Sequence, residues 1–281
     1  MFNSGYKKEA LSTLERASEA YSKQYNKTID NAEKLHNLKE QSVQILKSVE
    51  DYYNSLANKP RQFIGIISSV SERRKNFEKE VETLKLESKN SENLSKGVAG
   101  AGALTGAGVA AFGPSAAMAV ATTFGTASTG TAIASLSGAA ATNAALAWLG
   151  GGTLVAGGGG MAAGEAFLAM AGPVGWAIGG AAILGGGLLA NKKNKEIAHK
   201  AESKTREIKE ETLRIEKIDT KICAEKSVIS SLNSGIKLNL SRLSYLPKDY
   251  LKFTSSDKDL LAQMINSAEV LSKRVEYKIS W

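Results

Sequence analysis

Cysteine is nearly absent from this chain: Cys223 is the only one in 281 residues. No intrachain disulfide can form, and nothing points to an oxidising compartment. Histidine is almost as scarce, with His36 and His199 alone. Both stand in charged helical sequence and read as solvated. So few soft ligands exclude the usual spaced metal sites, and no nucleophile–base constellation can be assembled, so neither a catalytic residue nor a cofactor is expected. The first twenty residues are polar and lack the apolar core of a secretory signal, which favours the cytosol or a membrane reached from within, or export by a non-classical route. Outside the central stretch of residues 97–190, no segment alternates apolar and polar residues as a half-buried strand does.

Two further scarcities are regional. Charge is missing from Gly97 to Ala190 except for Glu165, and glycine is rare outside that stretch, which holds 24 of the 27 glycines. The stretch is several times longer than the roughly 20 apolar residues that cross a bilayer. It has room for three or four spans, broken at Gly113-Pro114 and Gly172-Pro173. Small residues recur at four-residue spacing as Gly102-Gly106, Gly125-Thr129, Ala134-Gly138, Ala156-Gly160-Gly164 and Gly175-Gly179. In lipid, such faces let helix backbones approach closely. The residues expected to meet the membrane are Gly102, Gly106, Phe112, Phe124, Trp148, Gly160, Gly164, Glu165, Phe167, Gly175, Trp176, Gly179 and Leu188. Trp148 and Trp176 suit the headgroup level, and an ionisable group such as Glu165 at membrane depth is a functional candidate. The glycine runs fit no phosphate-cradling loop, because no strand precedes them and no Gly-Lys-Ser/Thr follows.

The flanks are the opposite in character. The net charge of +8 divides as +3 in residues 1–96, −1 in 97–190 and +6 in 191–281. The excess after the stretch could meet anionic headgroups. Its lysines alternate with glutamates and lack interleaved aromatics, so no nucleic-acid partner is expected. A long amphipathic helix is predicted from about Leu11 to Leu56, its seam running Leu35, Leu38, Ser42, Ile45, Val49 in steps of three and four. Asn58-Lys59-Pro60 ends it. A second helix, about Pro60 to Leu94, carries Phe63, Ile67, Val70, Phe77, Val81 and Leu84, with Arg74 intruding. The short break makes these two antiparallel neighbours. From Asn191 to about Leu246, Ile208, Ile215, Ile222, Ile229, Ile236 and Leu243 recur every seven residues. Glu211, Glu225 and Asn239 occupy part of the companion register. After Pro247 a last helix, capped by Ser255 or Ser256, presents Leu260, Leu261, Met264, Ile265, Leu271, Val275 and Ile279.

The expected fold is therefore all-α: an elongated antiparallel helical bundle or coiled coil with a Gly/Ala-rich, membrane-active helical head. Three units follow, an N-terminal arm (1–96), the head (97–190) and a C-terminal arm (191–281). Matching heptads predict that the arms pack together, with Val49 near Ile215 and Val70 near Ile229 as trial registers.

The apolar segment Gly97–Ala190, set between the heptads of Leu35–Leu56 and Ile208–Leu243, resembles, in architecture, the α-helical pore-forming toxins of the cytolysin A and haemolysin BL/non-haemolytic enterotoxin type. That resemblance implies a head shielded in water, which inserts into a lipid membrane on activation and homo-oligomerises through its glycine faces, with or without companion subunits. Such a protein is no enzyme and takes no small-molecule substrate. The runner-up is a constitutive membrane protein whose coiled-coil stalk serves as scaffold or sensor. A stress-triggered intracellular effector would share the first mechanism.

Overall fold

The first helix begins earlier than its heptad does. Residues Tyr6 to Ala10 are good helix formers, and Tyr6 finds a partner far along the chain in His199, ring edge to ring face with centroids 5.8 Å apart. In the computed structural model, which describes residues 4–97, 123 and 190–279, α1 accordingly runs Ser4–Ser55. Asn58, in the left-handed region at φ 50°, turns the chain, and a single 3-10 turn at Arg61–Phe63 leads into α2, Ile64–Gly97. The third helix, α3, spans Ala190–Ser244. It stops before the expected Leu246 because its last amides bond three residues back (Tyr245 to Arg242, Leu246 to Leu243) and Pro247 has no N–H to continue. A second 3-10 turn, Tyr250–Lys252, precedes α4, Ser255–Glu276. The cap of α4 is Thr254, not Ser255 or Ser256. Its hydroxyl accepts from the Asp257 amide while Asp257 accepts from the Thr254 amide, a reciprocal capping box.

The fold is all-α: the described residues form four α-helices and no strand, and they pack as a helical bundle. The heptads decide which faces meet. Leu35, Ile45 and Val49 of α1 are buried, as are Ile208, Ile215, Ile222, Ile229, Ile236 and Leu243 of α3; Leu38 is half-buried. Phe63 of the first 3-10 turn, Ile67, Val70, Phe77 and Val81 of α2, and Leu261, Met264, Ile265, Leu271 and Val275 of α4, complete one continuous core.

Direction is where the packing departs from expectation. Tyr6 meets His199, Asn31 meets Asp219, Tyr52 meets the Leu243 carbonyl and Asn58 meets Asp249. Partner numbers rise together, so α1 and α3 run parallel, while each hairpin, α1–α2 and α3–α4, is antiparallel. Tyr52 and Leu243, like Asn58 and Asp249, differ by 191. Val49 is therefore level with Leu240, and Ile215 lies about 37 Å away along the axis at roughly 1.5 Å per residue. Val70 and Ile229 are out of step too, since the neighbouring pair Arg74–Glu50 places Val70 at the far end of α1. A heptad reports the face that is buried but says little about direction or register.

Parallel α1 and α3 have a topological consequence. Because α2 runs back along α1, it heads toward the end at which α3 begins. The chain therefore leaves α2 and returns into α3 on the side away from the two connections, with Gly97 about midway along α1 and Ala190 beside its start.

Candidate functional site

Four polar layers interrupt the core, and one of them gathers every part of the molecule. Lys39 follows Leu35 by four residues and precedes Ser42 by three, so helical spacing points it inward with them. It is completely buried. Its Nζ donates to the carbonyl of Tyr277, just past the end of α4, at 2.8 Å. Burial, with Lys278 adding repulsion, pulls the Lys39 ammonium down to about 7, against the opposing pull of Glu225 and Glu80. Arg274 donates to Glu225 of α3 at 3.0 Å, Lys278 pairs with Glu80 of α2, and Glu276 forms an ion pair with Arg73 and accepts from Asn76. The Ile279 amide donates to the Thr123 carbonyl at 2.7 Å.

The segment Arg274–Ile279 thus clasps α1, α2, α3 and one residue of the glycine-rich stretch. Between the helical ends of that stretch, Gly97 and Ala190, Thr123 is the residue among the described ones, and it is completely buried. Chemically the layer can carry or release a proton near neutral pH, and it offers no nucleophile with an adjacent base. Among the described residues no group of His, Cys, Asp and Glu could hold a metal ion.

The second layer fixes the α1–α3 register. Asn31 donates to Asp219 at 2.6 Å and accepts from Lys226 at 2.8 Å, while Lys27 pairs with Asp219 at 2.8 Å. Burial pushes the Asp219 carboxyl up, but the hydrogen bonds from Lys27 and Asn31 outweigh it and hold it below the usual range. A polar pair at one level of an apolar seam selects the alignment that satisfies it.

The third layer explains Arg74 as a seam residue. Its guanidinium forks onto Glu50 of α1 (2.7 and 3.2 Å) and reaches Glu78 (2.7 Å). In the fourth, Glu211 is buried near Tyr21, its carboxyl raised by burial against the pull of Arg214. His36 is not solvated as its sequence neighbours suggest: it is buried, 6.5 Å from the Phe77 ring, because α2 crosses there. His199 is exposed, as expected.

All residues expected to meet a membrane (Gly102, Gly106, Phe112, Phe124, Trp148, Gly160, Gly164, Glu165, Phe167, Gly175, Trp176, Gly179 and Leu188) lie outside the described residues. Among the described residues no helix is long and apolar enough to cross a membrane. Sequence reasoning missed Lys39, Asn31 and Asp219, although each has inward helical spacing; their charge or polarity read as surface. Compared with protein-family models, curated proteins and solved structures, the chain matches none.

Proposed function

We propose that this is a non-enzymatic, membrane-permeabilising protein in which an elongated, coiled-coil-like bundle carries the glycine-rich stretch, delivers it to a bilayer and lets it oligomerise there. The observation that carries the reading is the parallel α1–α3 pair. With α2 running back toward the start of α3, both ends of a stretch of more than ninety residues with one charge join the helices on the side away from the two connections. This is the layout of the pore-forming toxins named above, and it is the ground for setting this chain beside them.

The clasp supplies the holding state. Thr123 is tied to Ile279, and the same segment is tied to Lys39 and Glu80, so the stretch cannot leave without opening that layer. The test is a disulfide lock, Thr123→Cys with Ile279→Cys in a Cys223→Ser background. Oxidised protein should release no dye from liposomes, and reduction should restore release. Equal leakage from locked and reduced protein would refute delivery from the clasped state. Protein that floats with membranes in both states and never leaks would instead favour the scaffold reading.

A further inference from the structure

The opposite end of the bundle carries a surface of its own. The α1–α2 and α3–α4 connections, residues 56–63 and 245–254, are stitched to each other. The Ala57 amide donates to the Lys248 carbonyl at 2.9 Å, the Tyr250 amide to the Ala57 carbonyl at 3.0 Å, and Asn58 to Asp249 at 3.0 Å. Asp249 also accepts from the Leu251 amide at 3.1 Å, capping the turn. Tyr53 donates to the Pro60 carbonyl at 2.7 Å, and Phe63 and Phe253 are buried beneath. This backbone is fixed.

It nonetheless leaves large apolar side chains outside. Tyr245 is 88% exposed, Leu251 72% and Ile64 52%. Around them stand four exposed cations, Lys59, Arg61, Lys248 and Lys252. The single carboxylate in the two connections, Asp249, is engaged by Asn58 and the Leu251 amide. Cations alone would suit any polyanion. Nucleic acid would satisfy the lysines and leave Leu251 and Ile64 facing water, whereas a bilayer interface takes both: phosphates for the cations, acyl boundary for the aliphatic groups, headgroup level for the tyrosine.

We propose that this stitched end is a docking surface for anionic lipid headgroups, with Tyr245, Leu251 and Ile64 entering the interface and Lys59, Arg61, Lys248 and Lys252 meeting phosphate. It does not depend on the glycine-rich stretch inserting.

The experiment uses full-length protein with Leu251→Cys in a Cys223→Ser background, labelled with an environment-sensitive dye. Vesicles containing anionic lipid should shift its emission to the blue; purely zwitterionic vesicles should not, and high salt should abolish the shift. Lys248→Glu with Lys252→Glu, its fold checked by thermal melting, should weaken partitioning by about tenfold or more. An undiminished shift in that variant, co-flotation with no shift at Leu251, or a shift produced by duplex DNA and not by vesicles would each overturn the assignment. Dye release from the vesicle lumen is read in parallel, so failure here stays distinct from failure of permeabilisation.

Discussion

The two halves of the α1–α3 pair differ sharply in what holds them. In the half near the connections, Leu46, Val49 and Tyr53 share a core with Ile229, Ile236 and Leu243; α4 packs on both α1 and α3, and α2 packs on α1 and α4. Two engaged ion pairs, Arg74–Glu50 and Arg274–Glu225, lie inside. In the half where α3 begins, Leu14, Tyr21, Tyr25 and Ile29 are buried with Ile208, Ile215, Ile218 and Ile222, but small or polar positions (Ala10, Ala17, Ala198, Ala201, Thr205 and Glu211) are interspersed among them. α4 ends at the level of Lys39 and reaches none of them. The difference teaches that the half near the connections is held by helices packed on the α1–α3 pair, while beyond the Lys39 level the pair has no support from α4. Lys39 and the clasp mark the boundary.

The largest expected effect breaks the strong half. Arg74→Ala would leave Glu50 buried without its partner, and loss of one member of a buried pair costs about 3–5 kcal/mol. A thermal melt should show the variant far below wild type. A loss of a few tenths would mean that water reaches Glu50 and that the contrast between halves is smaller than drawn.

Lys39→Met tests the boundary through pH. The folded-state pKa of Lys39, about 7, lies below its unfolded value, so between the two the unfolded chain binds the extra proton. Stability then rises with pH across that window; the cost of burying the ammonium is full below about pH 7 and gone above the unfolded value. Lys39→Met should therefore be the more stable protein at pH 6, by about 1–3 kcal/mol, with the advantage fading by pH 10. A pH-independent difference would remove the titrating lysine from the account.

Much of the strong half is legible in the sequence. Isoleucine every seven residues from Ile208 names the buried face of α3, and Asn58-Lys59-Pro60 places the first connection. What could not be read is direction, because a parallel and an antiparallel partner satisfy the same stripe. The deciding residues, Asn31 and Asp219, are polar, and polarity at an inward position looks like surface until its partner is known. Lys39 was hidden for the same reason. The cap of α4 was misplaced by one residue because Thr254, Ser255 and Ser256 can all cap, and only Asp257 three residues after Thr254 closes the box.

Asp219→Asn sharpens the contrast from the other side. It weakens the pair with Lys27 and spares the core, so a loss of about 1–2 kcal/mol is expected, confined by hydrogen exchange to residues 4–35 and 194–224. Protection lost equally around Val49 and Ile236 would mean that the halves open as one unit. A smaller effect still belongs to Asp257→Ala, which removes half of the capping box at the strong end. It should cost about 1 kcal/mol and leave exchange near Tyr21 unchanged.

The claim that the bundle holds and the glycine-rich stretch acts is tested most directly by Gly175→Leu with Gly179→Leu, read by liposome flotation alongside dye release. Leucine raises apolarity while keeping helix axes apart. The account predicts a variant that floats with membranes at least as well as wild type and leaks far less. Flotation and leakage rising together would contradict it, because greasiness alone, without close backbone approach, would then open the membrane.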